Sequence, residues 1–366
     1  MFDTLDPLSL ERLRSIGLAP RILQQRLSLD PPSGAMLMRV TEVQRDALTL
    51  HDGQHALMAR ARPGLLQTLS AAADALAVGD WVFAQRNDHG QWWVAQRVPP
   101  LTQIARRLHD GRDKVARVVI VANVDTALLV MGLDLDFSLR RLERYLALAR
   151  LAGVDAVVVL TKADLCPDTA AREAEVQASL PAGAAVVAVD ATHVSARAAL
   201  APWLGVGHSV VLLGSSGAGK STLTNTLTGA DTQPIGGTRS GDGRGRHTTT
   251  SRSLHVALDG GCIIDTPGLR TLRLDSDVEA IERSFDDIAR LAPHCRFRDC
   301  RHEAEPGCAV REGVARERLQ SFQKLLRESR RDSMSAVQRK ERLQVWKARS
   351  RASRARLADK RGEQSG

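Results

Sequence analysis

The chain is poor in aromatic residues, with one Tyr, six Phe and five Trp in 366 positions, so its cores must be built mainly from aliphatic side chains. It has no uninterrupted apolar run approaching the roughly 18 to 20 residues that a membrane helix needs, so no membrane span is expected. The first residues, MFDTLDPLSLERLRSIGL, carry acids and no apolar signal-peptide segment, which sets the expectation of a cytoplasmic protein. Cysteine is scarce at five residues, and in a chain with no export signal the clustering of three of them favours a metal over a disulfide. Cys166 and Cys262 stand alone and read as small packing residues, whereas Cys295, Cys300 and Cys308 fall within fourteen positions.

What is abundant is positive charge, and it is concentrated. The net charge is +9, and Ala315 to Gly366 holds 16 Lys and Arg against 6 Asp and Glu, leaving the rest of the chain near −1. Such a tail suits a polyanion, because each cation that neutralises a phosphate releases a condensed counterion; a solvated helix or extension has the same composition. A single small core cannot serve 366 residues, and composition divides them into a 1–34 extension, a 35–105 barrel, a 106–276 α/β domain, a 277–330 helical, cysteine-bearing module and a 331–366 basic tail.

In the extension, Leu8 to Ile16 reads as a short helix followed by an irregular link to Gly34. MLMRV, DALTLH, HALMARA, GDWVFAQ and QWWVAQRV then give five short strands, with Asp52-Gly53, Pro63-Gly64, Gly79-Asp80 and His89-Gly90 as turns, the pattern of an OB-type barrel. Trp81 and Phe83 share one face of a strand, and Trp92 and Trp93 take opposite faces of the next. With so few aromatics, the inward members are expected to fill the barrel, base stacking being the alternative. From Val118, the strands VVIVANV, TALLVMG, AVVVLT, AVVAV and SVVLLG are interleaved with helical patterns and predict a mostly parallel sheet covered on both faces. SLHVAL and GCIID predict a hairpin across Asp259-Gly260-Gly261.

SVVLLG runs into Gly214-Ser215-Ser216-Gly217-Ala218-Gly219-Lys220-Ser221-Thr222 and then a helical pattern, which satisfies G-x-x-x-x-G-K-S/T in the required order of strand, loop and helix. Glycines let backbone N–H groups converge on phosphate, and the helix N-terminus adds partial positive charge. Lys220 is placed to reach the β- and γ-phosphates, and the Ser221 hydroxyl to ligate Mg²⁺. Thr161-Lys162-Ala163-Asp164 follows the strand AVVVL; the Asp164 carboxylate matches the adjacent N1–H and N2 amino donors of guanine, which adenine lacks. Capping a helix is the structural alternative for Asp164. Thr161 stands where this element usually has Asn, so fewer hydrogen bonds to the phosphate loop are expected. Asp265-Thr266-Pro267-Gly268 supplies D-x-x-G, with Asp265 expected to hold Mg²⁺ and the Gly268 N–H to sense the γ-phosphate. Thr249, in Gly243-Arg244-Gly245-Arg246-His247-Thr248-Thr249-Thr250, can close over the Mg²⁺, and Gly236 to Arg246 is expected to move when nucleotide leaves.

Cys295-x₄-Cys300-x-His302-x₅-Cys308 offers three thiolates and an imidazole, the ligand set of a closed tetrahedral zinc site. Its polar loop holds too little apolar surface to fold unaided, so one structural Zn²⁺ is expected. His294 is an alternative fourth ligand.

In conventional GTPases the base-reading loop comes last; here Asp164 precedes Lys220. With this order, GRHTTT at Gly245–Thr250 and the C-terminal cysteine motif, residues 35 to about 310 resemble the circularly permuted, ribosome small-subunit-dependent GTPases of the RsgA type. The resemblance implies hydrolysis of GTP to GDP and phosphate during late maturation of the small ribosomal subunit, rRNA contact, and a monomer. It also places Val189-Asp190-Ala191 at the third base-loop element, with Asp190 for the usual Ser. Leu269 occupies the place of the water-orienting Gln of many GTPases, so slow intrinsic hydrolysis is expected, and the resemblance makes His247 the candidate for positioning water. An RNA-binding assembly factor holding GTP only as a structural ligand is the alternative from another class.

Overall fold

Asp6 accepts hydrogen bonds from the N–H groups of Leu8 and Ser9, both at 3.0 Å, which caps α1 (Pro7–Ser15). The computed structural model describes residues 6–109, 115–180, 184–229, 252–266, 281–282 and 285–332. The expected irregular link instead contains a second helix, α2 (Pro20–Leu27). Pro20 stands at its first turn, where the missing N–H costs nothing, and Ile22 turns inward.

Five strands close the barrel: β1 (Met36–Val43), β2 (Leu48–His51), β3 (Ala56–Ala61), β4 (Trp81–Arg86) and β5 (Trp92–Arg97). β1 pairs with β2 and β4, β2 with β3, and β4 with β5, all antiparallel, while the parallel β3–β5 pair closes the ring. Pro63-Gly64 is not a turn; Pro63 opens α3 (Pro63–Ala71), whose Leu69 reaches the barrel core. That core is aliphatic, built on Met38, Val40, Leu50, Val82, Ala84 and Val94. The inward aromatic is Trp92, which packs against this core, whereas Trp81 and Phe83 do not enter it. Strand alternation sends these two outward, where they are fully buried against Leu13, Ile16 and Ile104.

VVIVANV is also displaced from its expected place in the parallel sheet. Its strand, β7 (Val115–Ala122), pairs antiparallel with β6 (Gln103–His109) in a separate ribbon. The reason is length: β8 (Thr126–Gly132) starts only four positions after Ala122, whereas a parallel crossover needs roughly a dozen residues. β6 also runs across the expected barrel boundary at 105/106.

The parallel sheet itself comprises β8, β9 (Asp155–Thr161), β10 (Ala185–Ala188), β11 (Ser209–Leu213) and β13 (Cys262–Asp265), in the order β10-β9-β8-β11-β13, with β12 (Ser253–Val256) antiparallel beside β13 as the expected hairpin. α4 (Leu139–Leu151) and α5 (Thr169–Ser179) follow β8 and β9, and α6 (Ser195–Leu200) and α7 (Lys220–Thr228) flank β11. Alternation separates two cores. Leu129, Met131, Val211 and Leu213 meet α4, while Leu128, Val130, Val210 and Leu212 meet Leu200 of α6 and Leu223 of α7. β12 also pairs with β1 through Ser253 and Glu42, so barrel and parallel sheet form one continuous surface of eleven strands. Among the described residues no helix is long and apolar enough to cross a membrane.

At the junction lies a fully buried cation. Arg39 on β1 donates to the carbonyls of Ile16 at 2.5 Å, Asn123 at 3.1 Å and Gly79 at 3.4 Å, with its guanidinium 5.4 Å from the Trp81 ring centroid. Burial pulls its pKa down, and nearby Cys262, Asp125 and Asp80 oppose that. Gly17 passes so close that a Cβ there would lie 1.9 Å from the guanidinium, and its φ of +89° is a conformation glycine tolerates. Replacing Arg39 by Leu strands three acceptors and is expected to cost about 3 kcal/mol or more, read by denaturant unfolding followed through Trp fluorescence. Arg39→Lys is expected to recover only part of this, because an ammonium cannot span three carbonyls as a planar fork does.

Candidate functional site

The carboxyl ends of β8, β9, β11 and β13 converge on one rim, and the nucleotide motifs lie there. β11 delivers Gly214 against β8 so tightly that a Cβ would meet the Val130 carbonyl oxygen at 2.3 Å. α7 then starts at Lys220, with Gly219 as its N-cap. Each turn of the phosphate loop is held by a named donor. Lys220 Nζ bonds the carbonyls of Gly214 (3.0 Å) and Ser215 (2.6 Å), Lys162 Nζ that of Gly217 (2.8 Å), and Thr161 Oγ1 that of Ala218 (2.6 Å). The base loop and the phosphate loop are thus joined as one unit. Thr161 supplies the tie its motif usually gives to Asn, from a fully buried position. Ser216 is exposed, and Ser221 and Thr222 are half-buried on the first turn of α7.

Lys162 sits at φ +61°, a strained conformation that aims its amine between Gly217 and the carboxylate of Asp134, 2.6 Å away. Ala163 and Asp164 form a short 3₁₀ turn, and Asp164 is exposed. The capping alternative for Asp164 is removed, since α5 is capped by Asp168, which accepts from the Ala171 N–H at 3.2 Å. Val189-Asp190-Ala191 lies beside this loop: the Val189 carbonyl accepts from the Ala163 N–H at 3.3 Å, and the Ala191 carbonyl from Thr226 Oγ1 of α7 at 2.7 Å.

Asp265 closes the site from β13, in register with Leu212 at the start of the phosphate loop. Asp265 is only 1% exposed, and among the described residues neither carboxylate oxygen has a side-chain hydrogen-bond partner. Burial raises its pKa to about 6, against the pull of Lys220 and of the nearby Thr266 N–H. Lys220 is the complement: burial lowers its pKa, with Asp265 and Asp136 opposing. An orphaned buried carboxylate beside the Ser221 turn is the donor set of a hard divalent cation, which would restore what the oxygens lack. His247, Thr249, Gly268, the Gly236–Arg246 run and Leu269 lie outside the described residues.

Two acids on the loop after β8 were missed by motif reading. Asp136 accepts from Ser215 Oγ at 2.5 and 2.6 Å and pairs with Arg141 at 2.5 Å, while Asp134 orients Lys162. The sequence signal was an Asp-x-Asp directly after a buried strand at the functional rim.

The second site lies in the loop between the short helices α8 (Asp286–Leu291) and α9 (Ala309–Gly313), backed by the longer α10 (Arg316–Asp332). One ligand atom from each of Cys295, Cys300, His302 and Cys308 falls within 4.8 Å of the others. Cys295 and Cys308 sulfurs are 3.8 Å apart, and His302 Nδ1 is 3.3 Å from Cys308 and 3.6 Å from Cys295. Those distances match the edges of a tetrahedron with metal–sulfur bonds of about 2.3 Å, for which sulfur–sulfur edges are about 3.8 Å. They exclude a disulfide between Cys295 and Cys308. His302 holds φ +59° while Gln323 of α10 donates to its carbonyl at 2.7 Å, so backbone strain and a long helix together place the imidazole. His294 is exposed in the 3₁₀ turn before Cys295 and takes no part in the cluster. The four residues can hold a metal ion.

A parallel sheet carrying a base-reading loop that precedes its phosphate loop, behind an OB-type barrel and before a Cys₃His cluster, defines a circularly permuted P-loop GTPase. Residues 102–275 match the model of the RsgA GTPase family. The chain is 39% identical over 339 residues to "Small ribosomal subunit biogenesis GTPase RsgA 2" of Vibrio vulnificus (strain CMCP6), covering 90% of this chain and 92% of that one. It is 50% identical over 237 residues to "Small ribosomal subunit biogenesis GTPase RsgA" of Xylella fastidiosa (strain 9a5c), covering 65% and 67%. The fold matches that of YjeQ from Thermotoga maritima, with a TM-score of 0.58 at 23% identity over 81% of this chain and 98% of that one. It also matches YloQ, a circularly permuted GTPase, with a TM-score of 0.56 at 22% identity over 84% and 99%. The chain belongs to the RsgA GTPase family, and its activity is GTP hydrolysis.

Elemental analysis of chain purified without chelator is expected to return about one metal ion per chain, as a single four-ligand cluster requires. Cys300→Ser is expected to abolish it and to lower the melting temperature of the C-terminal module, with guanine nucleotide affinity unchanged.

Proposed function

We propose that this chain hydrolyses GTP on the small ribosomal subunit during late maturation, with its nucleotide site working as one preformed unit. The observation that carries this reading is Asp265, a buried carboxylate whose two oxygens have no side-chain hydrogen-bond partner among the described residues, drawn by Lys220 across a phosphate loop already bonded to the base loop. Lys220 neutralises charge between the β- and γ-phosphates, and Gly214 to Thr222 cradle them with backbone N–H groups. Ser221, Asp265 and Thr249 are the residues that would hold Mg²⁺, which when bound supplies further charge neutralisation on the phosphate oxygens. Asp164 accepts from N1–H and N2 of guanine, and Lys162 stiffens the turn that presents it. Gly268 senses the γ-phosphate, and His247 positions the attacking water when the subunit is bound. Cys295, Cys300, His302 and Cys308 hold zinc, a structural ion suited to three thiolates and one imidazole. The subunit partner is supported by the names of the relatives in Vibrio and Xylella and by the +10 tail, which favours rRNA. The protein acts in the cytoplasm as a monomer, in the five segments 1–34, 35–105, 106–276, 277–330 and 331–366.

Asp164→Asn is expected to weaken GTP binding by 100-fold or more, on the order expected when buried donors lose their acceptor, and to favour xanthosine triphosphate, whose C2 carbonyl accepts from the new amide. Equal affinity for GTP in both proteins removes Asp164 from the base pocket. Phosphate release is expected to be slow for the chain alone and to rise steeply with isolated small subunits. His247→Ala is expected to lower the stimulated rate while GTP affinity stays constant, because its contact forms only in the transition state. Unaltered wild-type turnover on adding subunits overturns the activation model.

A further inference from the structure

The three donors that hold the phosphate loop, Lys220, Lys162 and Thr161, come from the nucleotide motifs themselves; the fourth partner, the acceptor Asp136, does not. It sits on the loop between β8 and α4, 79 positions before Ser215 in the chain, yet both of its oxygens lie within 2.6 Å of the Ser215 hydroxyl. A carboxylate beside an anion-binding loop repels phosphate unless its charge is absorbed. Arg141, one turn into α4, absorbs it by donating from Nη1 to the carboxylate at 2.5 Å and from Nη2 to the Asp136 carbonyl at 3.0 Å. The Asp136 side chain is 16% exposed, so this pair is screened less than a surface ion pair. The contact matters because Ser215 does two jobs. Its hydroxyl is tied to Asp136, and its carbonyl accepts Lys220 Nζ at 2.6 Å. Fixing the Ser215 side chain fixes the peptide that holds the catalytic ammonium.

We propose that Asp136 is a positioning residue for GTP hydrolysis, acting through the Ser215 hydroxyl to set the peptide that aligns Lys220; this rests on the GTPase reading of the site. The demand is steepest in the transition state, where charge on the β–γ bridge grows and sub-ångström misplacement of a cation is most costly. The contact is local to the phosphate loop, since Asp136 touches Ser215 and Arg141, whereas Asp134 is the acid that orients Lys162 of the base loop.

The test is a double-mutant cycle on the full-length chain with multiple-turnover phosphate release, fluorescent GDP binding and thermal melting. Asp136→Ala and Ser215→Ala are each expected to lower kcat about tenfold, a loss of one positioning interaction, with KM and the Kd for GDP shifting less than about threefold. The double variant is expected to be no slower than the worse single variant within about twofold, because both substitutions break the same link. Multiplying effects in the double variant overturn the proposal, as does a Ser215→Ala protein that turns over at the wild-type rate. Should Asp136→Ala lose its melting transition through the freed Arg141, the Ser215→Ala comparison decides alone, since that change leaves the Asp136–Arg141 pair intact. A wild-type chain that binds no guanine nucleotide defeats the GTPase reading itself, whereas normal wild-type turnover beside an unaffected Ser215→Ala defeats only the positioning role.

Discussion

A guanidinium sealed from water at the meeting point of four chain segments sets the relation between the barrel and the nucleotide-binding sheet. Arg39 extends from β1 of the barrel to carbonyls in the N-terminal extension, in the turn before β4 and in the turn after β7. A cation so placed loses its hydration entirely, and only the full set of acceptors makes the position tolerable. The surrounding features follow from that demand. Gly17 must lack a side chain, Asn123 adopts φ +53° while its side-chain amide donates to Gly79, and Trp81 turns out of its barrel to lie over the cation. The barrel is therefore held to the sheet by geometry as well as by the β1–β12 pairing.

That fixed frame presents a phosphate loop whose shape is decided largely by its neighbours. Glycines make the loop possible, but Lys162, Thr161 and Asp136 hold it from outside the motif. Preformed contacts of this kind reduce the reorganisation that charge development in the transition state would otherwise demand. Among the described residues Asp265 is only partly compensated, by Lys220 and the nearby Thr266 N–H, a local cost of the sort that sites retain where a ligand supplies the missing partner.

Permutation gives the nucleotide site a second neighbour. α4 starts beside the loop that bears Asp134 and Asp136, and its outer face carries α10: Arg144 pairs with Glu328, and Arg140 donates to Gln320 at 2.8 Å. α10 in turn holds the His302 carbonyl through Gln323 and anchors α8 through the Arg318–Asp287 fork, with Arg318 lying 4.8 Å from the Phe285 ring centroid. The metal cluster is thus braced against the helix that begins at the nucleotide rim.

The sequence alone determined the elements whose signal is local. Gly214 to Thr222, Asp164 and Asp265 stand out as candidates because phosphate, guanine and divalent cations each demand particular groups at fixed spacing, and the four residues that can hold a metal because thiols and an imidazole cluster in so short a span. The barrel strands and the parallel sheet were legible from alternation and from continuous Val and Leu runs. Tertiary structure decided whatever depended on partners distant in the chain. β7 carries the apolar run of a parallel strand, and only the short link to β8 assigns it to a ribbon. Pro63-Gly64 is a turn or a helix start until Leu69 has a barrel to fill. Thr161 replaces Asn without losing the loop, because burial brings its single hydroxyl against the Ala218 carbonyl. Asp136 and Arg39 carry no motif at all; their meaning is a set of contacts 79 and 84 positions away, fixed only when the chain has folded.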